Sequence, residues 1–326
     1  MLLKELFAFS VINFSVISNN FVESCSMQCR KFTYKPYLER VSYLVKLPDY
    51  KKLNDLALIG THLSFSYSAS KTYAITQDLN IVQQLKYGIR VLDIGIRPQF
   101  NIFEVQAEYA KTNVKFSDVL TTIDKFLDYN PGEFIIMFLR QNYPSDFGVT
   151  LSNCEILNYY IKSSDGAGKR LVKNWKLTDT IGKHRGKILL ASLDYSFKNC
   201  TFDVNRQCYI QNDDVIYRKS YTTINTKDKL KHITETLKAS YSKSYKCYIN
   251  DISFFDIHFD RRIVARDGGY DYQQSCPMPL NYVMTQRFAN PHRALIIVMA
   301  DYPSQELMDK INDSNFRNSS WRSGWE

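Results

Sequence analysis

Beyond its first two dozen residues the sequence has no apolar run of the ~18 residues that a membrane-crossing helix requires, so no later segment reads as a span. It has no Cys-x-x-Cys pair and no Cys/His spacing suited to zinc. No stretch rich in proline, glycine or serine divides it, and no period marks a repeat, a collagen or a coiled coil. A dense basic stripe is also missing: the lysines are scattered among tyrosines and serines, which argues against nucleic acid as a partner. What remains is a globular composition, 44% hydrophobic and 23% charged over 326 residues. The 42 basic against 33 acidic residues leave a formal charge of +9, which favours an anionic partner such as a phospholipid surface.

The opening MLLKELFAFSVINFSVISNNFVESCS has one lysine ahead of an apolar run, then small residues, and reads as a signal peptide over 1–24. Cleavage would leave 25–326 as a single secreted domain. Sequons at Asn199, Asn312 and Asn318 fit a glycoprotein on that route. Seven cysteines fit an oxidising compartment, and Cys200 with Cys208, flanking a short polar loop, is the pair the spacing suggests.

From Asp55 onward apolar runs alternate with amphipathic stretches, the pattern of βα units around a parallel sheet. Strands are expected at Leu56–Gly60, Arg90–Arg97, Ile102–Gln106, Phe134–Leu139, Lys187–Leu193, Cys247–Ser253 and Ala294–Ala300. Helices are expected over Thr76–Tyr87, over a stretch capped by Ser117 and ended by Asn130-Pro131-Gly132, over Thr226–Ser240 and from Ser304. The whole reads as an α/β chain forming one barrel, with an irregular polar region around Asn199–Thr222. In such barrels the chemistry sits where strands end. His62, Gly95, Arg97, Gln106, Arg140, Asp251 and Asp301 are the residues at those ends.

Four blocks carry a resemblance to a known family: LALIGTHLS, LKYGIRVLDIGIR, FSDVLTTIDKFLDYNPGEFIIMFL and ALIIVMADYPSQELMDKI, with TIGKHRGKILLA as a fifth. In this order they resemble the X domain of phosphatidylinositol-specific phospholipases C, especially the bacterial-type and stand-alone members. The resemblance implies a distorted TIM-like (β/α) barrel. It also implies a phosphodiesterase in which one histidine, as base, takes the proton of the inositol hydroxyl and a second, as acid, protonates the leaving diacylglycerol oxygen. His62 stands at the base's place and Asp301 at that of the aspartate that orients it. Arg140 matches a position that often holds a basic residue for the head group.

The departures are as informative. Leu63 replaces the aspartate that usually follows the base, Gly95 replaces the phosphate-stabilising arginine, and Gln106-Ala107 replaces the His-Gly of the acid. A carboxamide hydrogen-bonds but does not release a proton at physiological pH. The expectation is therefore a catalytically impaired, lipid-binding barrel, a pseudoenzyme that could also serve a protein partner. The alternative is an active secreted phosphoinositide or glycosyl-phosphatidylinositol phosphodiesterase that uses His62 with a relocated acid, His258, and Arg97 as the phosphate cation. Of the other histidines, His184 and His292 fall before strands and His232 on a helix. No cofactor is expected and no metal, because the early strand ends offer only Asp93 and Glu104 and a calcium site needs several converging oxygens. That shortage also argues against a metal-dependent glycerophosphodiesterase. Phe65, Tyr67, Phe254 and Phe255 are candidate aromatics for a membrane-docking rim.

Overall fold

The computed structural model describes residues 32–141, 144–163, 166–211, 226–241, 246–254, 260–268, 278–289 and 294–316. The segment 1–24 that reads as a signal peptide, Cys25, Cys29, Phe255, His258, Cys276, His292 and Asn318 lie outside them. Eleven strands form one sheet: β1 Ala57–Thr61, β2 Val91–Gln99, β3 Ile102–Ala107, β4 Ala110–Lys115, β5 Ile135–Gln141, β6 Leu171–Val172, β7 Ile188–Ser192, β8 Phe202–Asp203, β9 Tyr209–Gln211, β10 Cys247–Asp251 and β11 Leu295–Ala300. The order is β6-β7-β5-β2-β1-β11-β10-β9, and each neighbouring pair on that path is parallel. The sheet curls into an incomplete barrel. β8 lies on the same edge of β7 as β6, and the helix Val204–Gln207 carries the chain across the open seam to β9.

Side chains alternate between two apolar layers. Leu58, Val91, Phe138, Leu189, Ile249 and Ile297 fill the barrel interior. Ile59, Leu92, Met137, Leu190, Ile296 and Val298 face outward against the helices. Both faces are covered, which is why runs such as FIIMFL show no polar alternation. At the entrance end of β2 the fully buried Arg90 donates from Nε to Glu133 Oε2 at 2.7 Å, and its remaining donors reach the carbonyls of Val41, Leu85 and Ile89.

Several expectations need correcting. The strand at Ile102 is not a parallel βα element. Phe100 and Asn101, with φ of 47° and 59°, make a tight turn, so β3 returns antiparallel to β2 and β4 follows it. Two residues are too few for a parallel crossover. The helix expected from Thr76 begins at Ile81, where the Asn80 side chain accepts from Gln83 N–H. Thr76 and Gln77 serve a different purpose, described below. The helix Phe116–Tyr129 contains Ser117 in its first turn, and Asp118 accepts the Lys115 N–H in its place. Helices Asn153–Lys162 and Leu280–Arg287 were not anticipated; the second buries Asn281 and has no clear apolar stripe.

Cys200 and Cys208 do not pair. Cys200 bonds Cys154 and Cys208 bonds Cys247. The segment between Cys200 and Cys208 is strand and helix rather than a loop, and it carries the two sulfurs to opposite sides of the seam. Asn312, one of the sequons, is fully buried in the helix Gln305–Ser314 and donates to the Gly88 carbonyl, so folded chain offers no acceptor there.

Candidate active site

The parity that fills the barrel interior continues past the strand ends and there becomes polar. After Leu58 and Gly60 comes His62; after Val91 and Asp93 comes Gly95; after Phe138 comes Arg140; after Ile249 comes Asp251; after Ile297 and Met299 comes Asp301. Two-residue periodicity along parallel strands therefore assembles one polar layer at the C-terminal mouth. Gly60 lets this layer close up, because a Cβ there would lie 2.5 Å from Met299 Sδ and 2.9 Å from Val91 Cβ.

His62 is 2% exposed, and its Nδ1 lies 2.8 Å from Asp301 Oδ1. Its backbone is clamped. Thr76 Oγ1 and Gln77 Nε2 both donate to the His62 carbonyl, at 2.7 and 2.9 Å, and Gln77 also reaches the Ala300 carbonyl. Asp301 is held by the Phe254 N–H at its second oxygen, and Asn281 donates to the adjacent carbonyls of Asp301 and Tyr302. With Nδ1–H donated to the carboxylate, the neutral ring presents Nε2 as an acceptor. Among the described residues that buried Nε2 has no hydrogen-bond partner. Burial opposes charge on this imidazole and Arg140 adds to that, but the Asp301 carboxylate outweighs both, with Asp251 assisting, so its pKa lies above the ordinary value.

Gly95 is the Cα partner of Arg140 across β2 and β5. On its other side the antiparallel register places Arg97 opposite Glu104 and Ile96 opposite Val105, and continuing it by one residue sets Gln106 across from Gly95. Val105 points to the outer layer, so Gln106 faces the mouth, buried, and its Oε1 lacks a partner among the described residues. Arg140 donates from Nη2 to Asp93 Oδ2 at 2.7 Å, and the same oxygen accepts the Leu63 N–H at 2.9 Å. Leu63 holds a φ of 46°, the left-handed region, as the chain turns away from β1. Asp93 is thus a structural acceptor for a cation and a strained turn.

Arg97 sits further out on the β2 arm, 28% exposed at its side chain, with Nη2 3.2 Å from Asp146 Oδ2. His184 precedes β7, bonded at 3.0 Å to Asp179, and His232 lies on the helix Thr226–Ser240, both as expected. Of the expected rim aromatics, Phe65 and Phe254 are buried in the outer core, Tyr67 packs tilted against Phe65 at 5.7 Å, and Phe255 lies outside the described residues. Exposed aromatics beyond the strand ends include Phe100, at the β2–β3 turn, and Phe147, which are 66% and 90% exposed. Sequence reasoning also missed Thr76, Gln77 and Asn281. The signal available for them was polar residues inside otherwise apolar blocks.

Comparison with known proteins gives a consistent result. Residues 59–191 match the family described as phosphatidylinositol-specific phospholipase C, X domain. The chain is 26% identical over 287 residues to a 1-phosphatidylinositol phosphodiesterase of Listeria monocytogenes, covering 84% of each chain. A Staphylococcus aureus protein of the same name is 27% identical over 154 residues, 46% of this chain and 49% of that one. Among solved structures, the phosphatidylinositol-specific phospholipase C of L. monocytogenes superposes with a TM-score of 0.63 at 23% identity, covering 85% of this chain and 99% of that one. An F249X mutant of the S. aureus enzyme gives 0.66 at 17% identity, covering 83% and 98%. These likenesses show that the curled sheet is the distorted TIM-type barrel expected from the sequence.

Proposed function

The chain belongs to the phosphatidylinositol-specific phospholipase C X-domain family, and on that premise we propose that it is a secreted, lipid-directed barrel that keeps the family's base and has lost its acid. The reading rests on one observation: the side chain that faces the mouth across from Gly95 is a carboxamide. His62, oriented by Asp301, would still draw a proton from an inositol hydroxyl through Nε2. Gln106 would donate a hydrogen bond to the departing oxygen without delivering a proton. Arg140, the buried cation beside Gly95, is the group available to stabilise phosphate charge, but Asp93 already engages it. A cation shared with a carboxylate offers a developing oxyanion less than a dedicated one.

The partner in this reading is an anionic lipid surface, supported by the +9 charge and by the exposed rings of Phe100 and Phe147. The deciding experiment measures cyclic inositol phosphate release from phosphatidylinositol vesicles at high enzyme concentration. The proposal expects turnover near background and a gain in Gln106→His. Brisk wild-type turnover that is lost in His258→Ala would replace it with the relocated-acid enzyme.

A further inference from the structure

On the flank of the barrel, three strands round from β1, a cavity of about 560 Å³ opens at the free edge of β7. It forms where β6 leaves that edge, after pairing Ile188 and Leu189, and before β8 arrives to pair Ala191 and Ser192. Its size falls within the range of small-molecule sites. Its walls bring together Lys173, Lys176, Lys198 and Arg206, with Asp203 as the one carboxylate.

Two features set this cluster apart. Elsewhere the buried and half-buried arginines are matched with acids, as in Arg90–Glu133, Arg140–Asp93, Arg170–Asp124 and Arg185–Asp49. Among the described residues none of the four cavity cations makes an ion pair. Lys173 donates to the neutral Asn158 and Lys198 lies over the Tyr195 ring, and neither contact cancels a charge. Asp203 is occupied as a cap, accepting the N–H groups of Asn205 and Arg206.

The second feature is rigidity. Trp175 stacks on Phe202 at 4.1 Å and donates its Nε1–H to the Leu190 carbonyl, which forms the back wall. Each side of the opening is tied by a disulfide: Cys154–Cys200 beside Lys198, and Cys208–Cys247 just after Gln207. Holding four like charges together costs free energy that solvent only partly relieves. A counter-charged ligand relieves the rest, and walls already fixed spare it the cost of ordering them.

We propose that this cavity is a second binding site, for a ligand carrying two or more phosphate or sulfate groups. Lys176 and Arg206, both exposed, line it from different segments of the chain, and Lys173 and Lys198 complete the field. The site is independent of the mouth and does not rest on the catalytic reading.

The test uses the full secreted chain from a host that does not glycosylate, since Asn199 lies at the rim. Binding of inositol hexakisphosphate and, separately, of a heparin-derived tetrasaccharide is followed by calorimetry at low salt. We expect saturable one-to-one binding of at least one probe, weakened about tenfold or more by Lys176→Glu with Arg206→Glu and unaltered by His62→Ala. Preference for the first probe identifies a phosphorylated ligand and for the second a sulfated one. Thermal melting of the charge-reversed protein, expected to match the parent, separates lost binding from lost fold. Failure of both probes to saturate, or binding that survives the double reversal in a folded protein, overturns the proposal.

Discussion

Gly95 and Arg140 are Cα partners across β2 and β5, so the position without a side chain stands next to a buried guanidinium already committed to Asp93. The mouth therefore holds a cation, but one fixed by a carboxylate on the strand that carries the glycine. On the proposed reading, charge and proton donation are weakened at neighbouring places on that strand and its antiparallel return.

Restoring both groups should restore chemistry. Supplying one general acid is worth ~10²–10⁴ in rate and one preorganised charge donor roughly 10²–10³. We expect Gln106→His alone to raise cyclic inositol phosphate release, and Gly95→Arg with Gln106→His to raise it further, though by less than the product because such groups act as a unit. His62→Ala in the double variant should return release to background.

The His62–Asp301 pair has a pH signature. The pKa of His62 lies above its ordinary 6.5 despite burial, because the Asp301 carboxylate favours the charged ring. The neutral base therefore accumulates only above that raised pKa, and activity of the restored enzyme should climb with pH through it. Asp301→Asn removes the favourable charge and leaves the burial, so the midpoint should move down, as followed by histidine NMR. For stability the sign is opposite. The extra stability from charged His62 is fully present below its unfolded pKa and lost as pH rises through the folded one, so His62→Ala should cost more stability in mild acid than in mild base.

Docking to lipid is expected to pass through the β2–β3 turn rather than through the buried Phe65 and Phe254. Phe100 lies over Gly148, where a Cβ would come within 2.5 Å of its ring, and Phe147 stands beside it. Phe100→Ser with Phe147→Ser should weaken vesicle binding about tenfold or more, since each ring offers an apolar area worth roughly 1–2 kcal/mol on insertion. The melting temperature should not move. Vesicle sedimentation with anionic lipid, at low and at high salt, gives the comparison.

At the opposite end of the barrel the Arg90–Glu133 pair is a matter of stability alone. Removing one member of a fully buried pair strands the other, and Glu133→Ala should cost about 3–5 kcal/mol by denaturant unfolding. Cys154→Ser, which opens a loop with a sequence separation of 46, should cost up to about 4 kcal/mol.

Much of this molecule was legible from one-dimensional pattern. Runs such as FIIMFL and ALIIVMA had to be strands covered on both faces, because no polar alternation was offered to solvent. His62 and Asp301, each just past such a run, had to meet at one rim, because parallel strands end on the same side. Their 2.8 Å contact follows from strand parity and barrel topology. The amide of Gln106, where the family resemblance leads one to expect an imidazole, was equally visible in the sequence. Other features depended on approach between distant segments. Cys200 and Cys208 looked like partners along the chain and were carried to different sulfurs by β8 and the helix after it. Thr76 and Gln77 looked like the start of a helix and became the clamp on the His62 carbonyl. The sequence by itself determined which residues alternate inward and what chemistry they bring. Tertiary structure alone decided which distant groups satisfy one another, because hydrogen bonds, ion pairs and disulfides are chosen by proximity in space and local periodicity carries no information about it.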